Sequence, residues 1–344
     1  MQGTFEADEG VVHLGGDARQ RFYDARGYGR PLSGNRIELA PVEAAHLLFR
    51  GDVDAVAVDG RDLDFRGFLA ATGVALPFVV YKDLRDRGFY LSPAREGWVD
   101  DPAGVDFVVH PRGEGPQDGT VRYRVRVAGE RETVAAAELG AVVLAVVDEE
   151  GELTYFETTR PDDAGGTASY DPPADVEASL LSDRAVAWDP PTDLYDRGFY
   201  GQRLHGRNAD SGPLQLSLVE AAYLARRGAL SLSEREVVER GREVEGERFD
   251  RRLRAYAALR AAGSVPKSGF KFGADFRTYD SFTSVGEMSH SERLIRVVSP
   301  AHTFLPRDLS LDVRLAGGVR KRMVFALTDV NEGIAWLSVA RLTP

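Results

Sequence analysis

An α/β fold written twice along one chain is what this sequence predicts, and three observations carry that expectation. The first is an internal repeat. Phe22-Tyr23-Asp24-Ala25-Arg26-Gly27-Tyr28-Gly29 resembles Leu194-Tyr195-Asp196-Arg197-Gly198-Phe199-Tyr200-Gly201. Val42-Glu43-Ala44-Ala45-His46-Leu47 through Arg50-Gly51 matches Val219-Glu220-Ala221-Ala222-Tyr223-Leu224 through Arg227-Gly228 at a constant offset of 177. The run from Tyr81 to Gly88 then pairs with Tyr256 to Gly263, and Leu144-Ala145-Val146-Val147-Asp148 with Phe325-Ala326-Leu327-Thr328-Asp329. The second observation is that in each copy helical spacing gives way to runs of β-branched and aromatic residues. The third is the stretch from Arg160 to Pro173 between the copies, rich in Pro, Gly, Asp and small residues, as linkers are.

Each element has its own signal. Gly10 to Gly16 reads as an opening hairpin-like stretch, matched by Ala185 to Trp188. A helix begins near Pro41, carries Val42, Ala45, His46 and Phe49 at helical spacing and stops at Gly51; its twin begins near Ser217. A second helix ends at Gly88 or at Gly263. Strands follow at Phe107-Val108-Val109, Val142 to Val147, Leu294 to Val298 and Met323 to Leu327. Gly317-Gly318 fits either a helix end or a tight hairpin. The expected units are 1–75 and 76–160 in the first copy, a linker at 161–175, and 176–248 and 249–344 in the second. In each copy a small α/β N-terminal unit precedes a mixed-sheet α/β (α+β) unit.

Composition narrows the class. At 344 residues the chain can bury real cores, and it has no run of about 18 apolar residues that could span a membrane. Met1-Gln2-Gly3-Thr4-Phe5-Glu6 shows neither a basic start nor an apolar stretch, so no secretory signal is visible and a cytoplasmic location is the default expectation. The absence of cysteine excludes disulfides and thiolate metal sites. A net charge of −11 speaks superficially against a nucleic-acid partner. However, only Lys82, Lys267, Lys271 and Lys321 of the 43 Lys and Arg residues are lysines, and acidic residues abound, as in proteins adapted to high salt. Screening there removes long-range attraction, and RNA would be held by shape, stacking and short-range Arg contacts.

One constellation carries chemistry. Tyr279 ends the segment Phe270-Lys271-Phe272-Gly273-Ala274-Asp275-Phe276-Arg277-Thr278-Tyr279, His290 lies in Ser289-His290-Ser291-Glu292-Arg293, and Lys321 in Val319-Arg320-Lys321-Arg322. A phenol, an imidazole and an ammonium can together cleave RNA without metal or cysteine. Aligning the copies on Asp106-Phe107 and Asp275-Phe276 sets His110 opposite Tyr279, and aligning on Asp148 and Asp329 sets Gly140 opposite Lys321. Gly115-Pro116-Gln117-Asp118-Gly119, opposite His290, has no histidine. The first copy thus keeps the framework and lacks all three groups, which favours function over scaffold.

Lys271-Phe272-Gly273-Ala274-Asp275-Phe276 followed by Tyr279, a His-Ser pair eleven residues on, and Val-Arg-Lys thirty-one residues after the His resembles the signature of the archaeal tRNA-splicing endonucleases. The duplicated layout resembles their homodimeric subclass with an inactive and an active repeat per chain, so the strand-rich units are expected to be nuclease-like. The resemblance implies a precursor-tRNA substrate with a bulge-helix-bulge element. It also implies attack of a ribose 2′-hydroxyl on the adjacent phosphorus, with 2′,3′-cyclic phosphate and 5′-hydroxyl ends, and no metal or other cofactor. Tyr279 would be the base, or would orient the 2′-hydroxyl; His290 would be the acid, and Lys321 would stabilise the phosphorane-like transition state. Arg314, seven residues before Lys321, and Trp336 would sandwich a bulged base. Asp148-Glu149-Glu150 would dock into a groove of the partner in a homodimer.

Two rival classes make different demands. A metal-dependent restriction-type nuclease needs a carboxylate two residues before its strand lysine, where this chain has Val319. A non-catalytic RNA-binding or structural subunit of a splicing complex would have no need of Tyr279, His290 and Lys321 together.

Overall fold

The computed structural model of the chain describes residues 1–162, 165–206, 209–329 and 333–344. A mixed sheet of ten strands runs through both copies. The first copy supplies β1 (Leu91–Pro93), β2 (Phe107–Val109), β3 (Tyr123–Gly129), β4 (Val143–Val147) and β5 (Leu153–Thr159). The second supplies β6 (Val265–Ser268), β7 (Phe276–Tyr279), β8 (Arg293–Val298), β9 (Arg322–Thr328) and β10 (Ile334–Leu342). Their spatial order is β6-β7-β8-β9-β10-β5-β4-β3-β2-β1, so each half mirrors the other. The pairs β3–β4 and β8–β9 are parallel and the remaining neighbours antiparallel. The halves meet through β5 and β10, in register from Tyr155 opposite Leu342 to Thr159 opposite Ser338. Two strands that would each be an exposed edge satisfy one another's backbone groups instead.

The duplication is visible atom by atom. Asp106 Oδ2 accepts the Val127 N–H at 2.7 Å, and Asp275 Oδ2 accepts the Val297 N–H at 2.8 Å. The N-terminal units match similarly, although one sheet has six strands between Gln2 and Leu63 and the other four between Ala178 and Ser217. Beside them lie α1 (Pro41–Phe49) and α2 (Ala75–Asp86) in the first copy, and α3 (Leu218–Arg226) and α4 (Arg248–Ala261) in the second. Helix α3 opens with a capping box: the Ser217 hydroxyl accepts the Glu220 N–H, and the Glu220 carboxylate accepts the Ser217 N–H at 3.1 Å. At α1 the cap residue is Ala40, so only the Glu43 half of that exchange remains, at 2.9 Å. Both glutamates also bind a glycine N–H, Gly29 at 2.8 Å and Gly201 at 3.0 Å. These glycines have φ of +66° and +61°, and a Cβ there would lie 2.3 Å from the Glu38 carbonyl oxygen or 2.5 Å from that of Gln215. Only glycine fits both demands.

The helices and strands read from periodicity are present, with four refinements. Gly317-Gly318 resolves as a helix end, because α5 (Pro306–Gly318) runs up to it. Helices Phe65–Thr72 and Glu234–Glu245 lay outside the periodic signals; the latter buries only Val237 and Gly241 and is mostly charged. Phe49, on the expected apolar face of α1, lies at its rim, exposed yet edge-on to Phe65 and Phe78. The linker is a docked strap as well as a spacer. The N–H of Gly166 donates to the Ala262 carbonyl, that of Thr167 to Asp280, and that of Ala168 to Gly263, at 2.7 to 2.8 Å. A Cβ at Gly166 would lie 2.4 Å from the Gly263 carbonyl oxygen, so the strap needs glycine there. Asp163 and Ala164 of the linker are outside the described residues.

Each copy has a core between its sheet and helices, and a third core is shared. It joins Val134, Leu144 and Phe156 of the first copy to Phe304, Phe325 and Leu337 of the second. Neither copy could close this cluster alone. No described helix is long and apolar enough to cross a membrane.

Candidate active site

Strand register brings the ends of three neighbouring strands into one row. Thr278 of β7 faces Arg293 of β8, which faces Arg322 of β9. One residue further, the Glu292 N–H donates to the Thr278 carbonyl at 2.9 Å and the Arg322 N–H to the Glu292 carbonyl at 3.1 Å. Tyr279, Glu292 and Lys321 therefore stand side by side at the same end of the sheet.

Each is held differently. Tyr279 ends β7 at 5% exposure, its ring edge-on to Phe199 and Phe282 at centroid distances of 5.6 and 6.4 Å. The Arg277 guanidinium lies 5.8 Å from its ring centre. Lys321 follows Arg320, whose φ of +56° turns the chain out of α5, and its N–H closes on the Ala316 carbonyl at 2.9 Å. Lys321 Nζ donates to the carbonyl of Ser291, the residue next to His290, and sits 5.7 Å from the Phe272 ring centre. Partial burial, and then the charge of Arg277, hold this amine below the ordinary lysine range against the opposing pull of Glu292. His290 is exposed on the loop between β7 and β8, and its imidazole makes no hydrogen bond among the described residues.

The loop bearing His290 is fastened at both ends. The Glu292 carboxylate accepts the Asp280 N–H at 2.9 Å. Asp280 pairs with Arg293 at 2.6 Å and accepts the Ser264 hydroxyl, while Arg293 also donates to the Gly165 carbonyl of the strap at 3.1 Å. Midway, the Val285 N–H donates to the Asp196 carbonyl at 2.8 Å, and Phe282 stacks on Phe199 with rings 5.5 Å apart. The N-terminal unit of the second copy thus helps shape the loop. Sequence reading missed Arg277, Asp280, Glu292 and Arg293, although all lie within or beside the segments it singled out. The available signal for Arg277 was the same internal comparison, since Val108 occupies its place in the first copy.

The other candidates separate. Arg314 is exposed on α5 and shares a hollow of about 290 Å³ with Asp148, Glu130 and Glu152 of the same chain. Trp336 is 6% exposed on β10, paired with Ala326 and packed in the second copy's core. Asp148, Glu149 and Glu150 form the β4–β5 turn, where Asp148 Oδ1 accepts the N–H groups of Glu150 and Glu152 at 2.9 and 2.8 Å. Glu149 and Glu150 are exposed, Glu149 paired with Arg131. Among the described residues no three His, Asp or Glu side chains converge as a metal-ligand set.

Comparison with known proteins finds an N-terminal domain in each copy and a catalytic domain in the second. The family model for the tRNA intron endonuclease, catalytic C-terminal domain, matches residues 249–336. That for the tRNA intron endonuclease, N-terminal domain, matches twice, at 1–69 and 176–243. The chain is 68% identical to a tRNA-splicing endonuclease of Haloferax volcanii over 100% of both chains, and 59% identical to that of Haloarcula marismortui over 100% of both. It is also 37% identical to the tRNA-splicing endonuclease of Methanosarcina acetivorans over 99% of both. The salt-adapted composition agrees with relatives from halophilic archaea.

Proposed function

The chain belongs to the tRNA intron endonuclease family and acts as a tRNA-splicing endonuclease, and we propose that it excises introns at bulge-helix-bulge elements by metal-independent transesterification, as a cytoplasmic homodimer. The 2′-oxygen of the nucleotide before the cut attacks the adjacent phosphorus, and the bond from phosphorus to the 5′-oxygen breaks. The ends are a 2′,3′-cyclic phosphate and a 5′-hydroxyl. Tyr279 removes or orients the 2′-hydroxyl proton, His290 supplies a proton to the departing 5′-oxygen, and Lys321 sets positive charge beside the non-bridging oxygens. The observation that carries this reading is the row of strand ends, in which Lys321 reaches the carbonyl next to His290 while Tyr279 stands two strands away.

A dimer supplies two sites at a fixed spacing for two splice junctions. The exposed Asp148-Glu149-Glu150 turn is suited to docking on a partner, and exposed Arg314 to stacking on a bulged base. The test is to incubate an intron-containing precursor tRNA with the intact chain and with His290→Ala in EDTA and high salt, then analyse both ends of every fragment. Cyclic phosphate and 5′-hydroxyl ends, with severe loss in the variant, are expected. Cleavage only after metal is added would overturn the mechanism, and RNA binding without cleavage would favour a structural subunit.

A further inference from the structure

The cleft between the two units of the second copy has a twin in the first, and the two differ in charge. In the second copy about 380 Å³ is lined by Arg184, Arg252, Lys267 and Arg277, with Asp183 and Glu220 as its carboxylates. The twin is two adjoining hollows, one of about 230 Å³ with Arg30 and Glu43 and one of about 400 Å³ with Arg124 and Asp100. Strand and helix alignment sets Val11, Pro77, Ser92 and Val108 at the positions of those four cations. The first copy has therefore lost these charges as well as the catalytic groups, in a chain whose net charge is −11.

Three of the four cations are committed inside the chain. Lys267 donates to Glu220 at 2.8 Å and to the carbonyls of Phe199 and Gly201; Arg252 pairs with Glu245 and Asp275, and Arg184 with Asp183. Arg277 is different. It makes no hydrogen bond or ion pair among the described residues, and its guanidinium lies 5.8 Å from the Tyr279 ring centre. A guanidinium with no protein acceptor can turn its fork to an incoming one. Its position suits a ligand shared with the reaction centre, since it lines the cleft on one side and faces Tyr279 and Lys321 on the other.

We propose that Arg277 binds a backbone phosphate flanking the scissile one, and that the cleft guides this part of the RNA strand into the site. The proposal rests on the reading of the chain as an RNA endonuclease and adds a positioning contact to it. A planar fork of N–H donors matches two phosphate oxygens, whereas valine at the twin position offers none.

The experiment measures binding, so that it does not depend on cleavage. A bulge-helix-bulge RNA hairpin is made with a single neutral methylphosphonate at each position flanking the cut, and Kd is read by fluorescence anisotropy on a His290→Ala background, with and without Arg277→Gln. At one flanking position the neutral linkage is expected to weaken binding about tenfold when Arg277 is present, and to add nothing once Arg277→Gln has already weakened it. Arg277→Lys, which keeps the charge and loses the fork, should fall between. Unfolding temperatures of the variants separate a lost contact from a damaged fold. Additive losses at every position, or an unchanged Kd in Arg277→Gln, would overturn the proposal. Cleavage of the unmodified hairpin with His290 present is scored separately: binding with coupling but no cutting would overturn the enzymatic reading alone, and no binding by any variant would overturn both.

Discussion

The two copies share a backbone and differ at the ends of their strands. Asp106 and Asp275 bridge to equivalent N–H groups, and Glu43 and Glu220 hold equivalent glycines, because those bonds build the fold in either copy. At the strand end the copies part. Where the second has Tyr279, the first has His110, buried with Nδ1–H donating to the Thr120 carbonyl at 2.8 Å and Nε2 accepting from Ser92 at 3.0 Å. That imidazole is saturated and closes its loop, whereas the imidazole of His290 is exposed. The comparison teaches that framework residues are tied by backbone hydrogen bonds the fold cannot lose, while groups at strand ends carry chemistry the fold does not need.

The largest expected break in the symmetry is catalytic. His290→Ala or Lys321→Ala should slow single-turnover cleavage of precursor tRNA by about 10²- to 10⁴-fold with little change in unfolding temperature. His110→Ala, at the twin of Tyr279, should do the reverse and lower unfolding temperature rather than the cleavage rate. Next comes the buried pair. Lys267→Met strands the Glu220 carboxylate in the core and should cost about 3–5 kcal/mol in urea unfolding. Ser92→Ala, at the twin position, removes one hydrogen bond and should cost about 1 kcal/mol.

The twin glutamates should also titrate with opposite sign. Burial pushes Glu43 up to about 7 from 4.5, so its contribution is fully present below pH 4.5 and is lost as pH rises through 7, on the order of 2–3 kcal/mol. Burial acts on Glu220 too, but Lys267 together with the Ser217 and Gly201 N–H groups more than offsets it, and the carboxyl ends below its ordinary value. Its contribution is present above the unfolded value and is lost as pH falls. Burial also pushes the neighbouring His46 down to about 4 from 6.5, which adds stability as pH rises through part of the Glu43 window. The diagnostic is therefore the difference in slope between the unmodified chain and Glu43→Gln from pH 4.5 to 7, and Glu220→Gln on the acid side. An identical slope in Glu43→Gln would refute the upward shift of Glu43. The smallest effect is the cap: Ser217→Ala gives α3 the same hydroxyl-free start as α1 and should cost about 1 kcal/mol in thermal or urea unfolding.

Much of this was legible along the chain because it is local. Helix α1 shows itself by Pro41, apolar spacing and Gly51, and β4 and β9 by short runs of β-branched and aromatic residues. Helix Glu234–Glu245 did not, since its only apolar side chains are Val237, Val238 and Val244 among charged residues. The burial of Trp336 was not legible either, since sequence spacing carries no sign of which strand face meets a core. Arg277 stood inside the most informative segment and remained unassigned, because having no partner is a property of the neighbours.

By itself the sequence determined the duplication, the alternation of helix and strand, and the identity and order of Tyr279, His290 and Lys321. These follow from residue type and short-range period, which act over a few positions. Tertiary structure alone decided that β5 and β10 join the copies edge to edge, that the strap docks on Gly263 and Asp280, and that Lys321 reaches the carbonyl beside His290. Such contacts depend on strand register and burial, which are set by pairing between segments far apart in the chain and leave no periodic trace in either one.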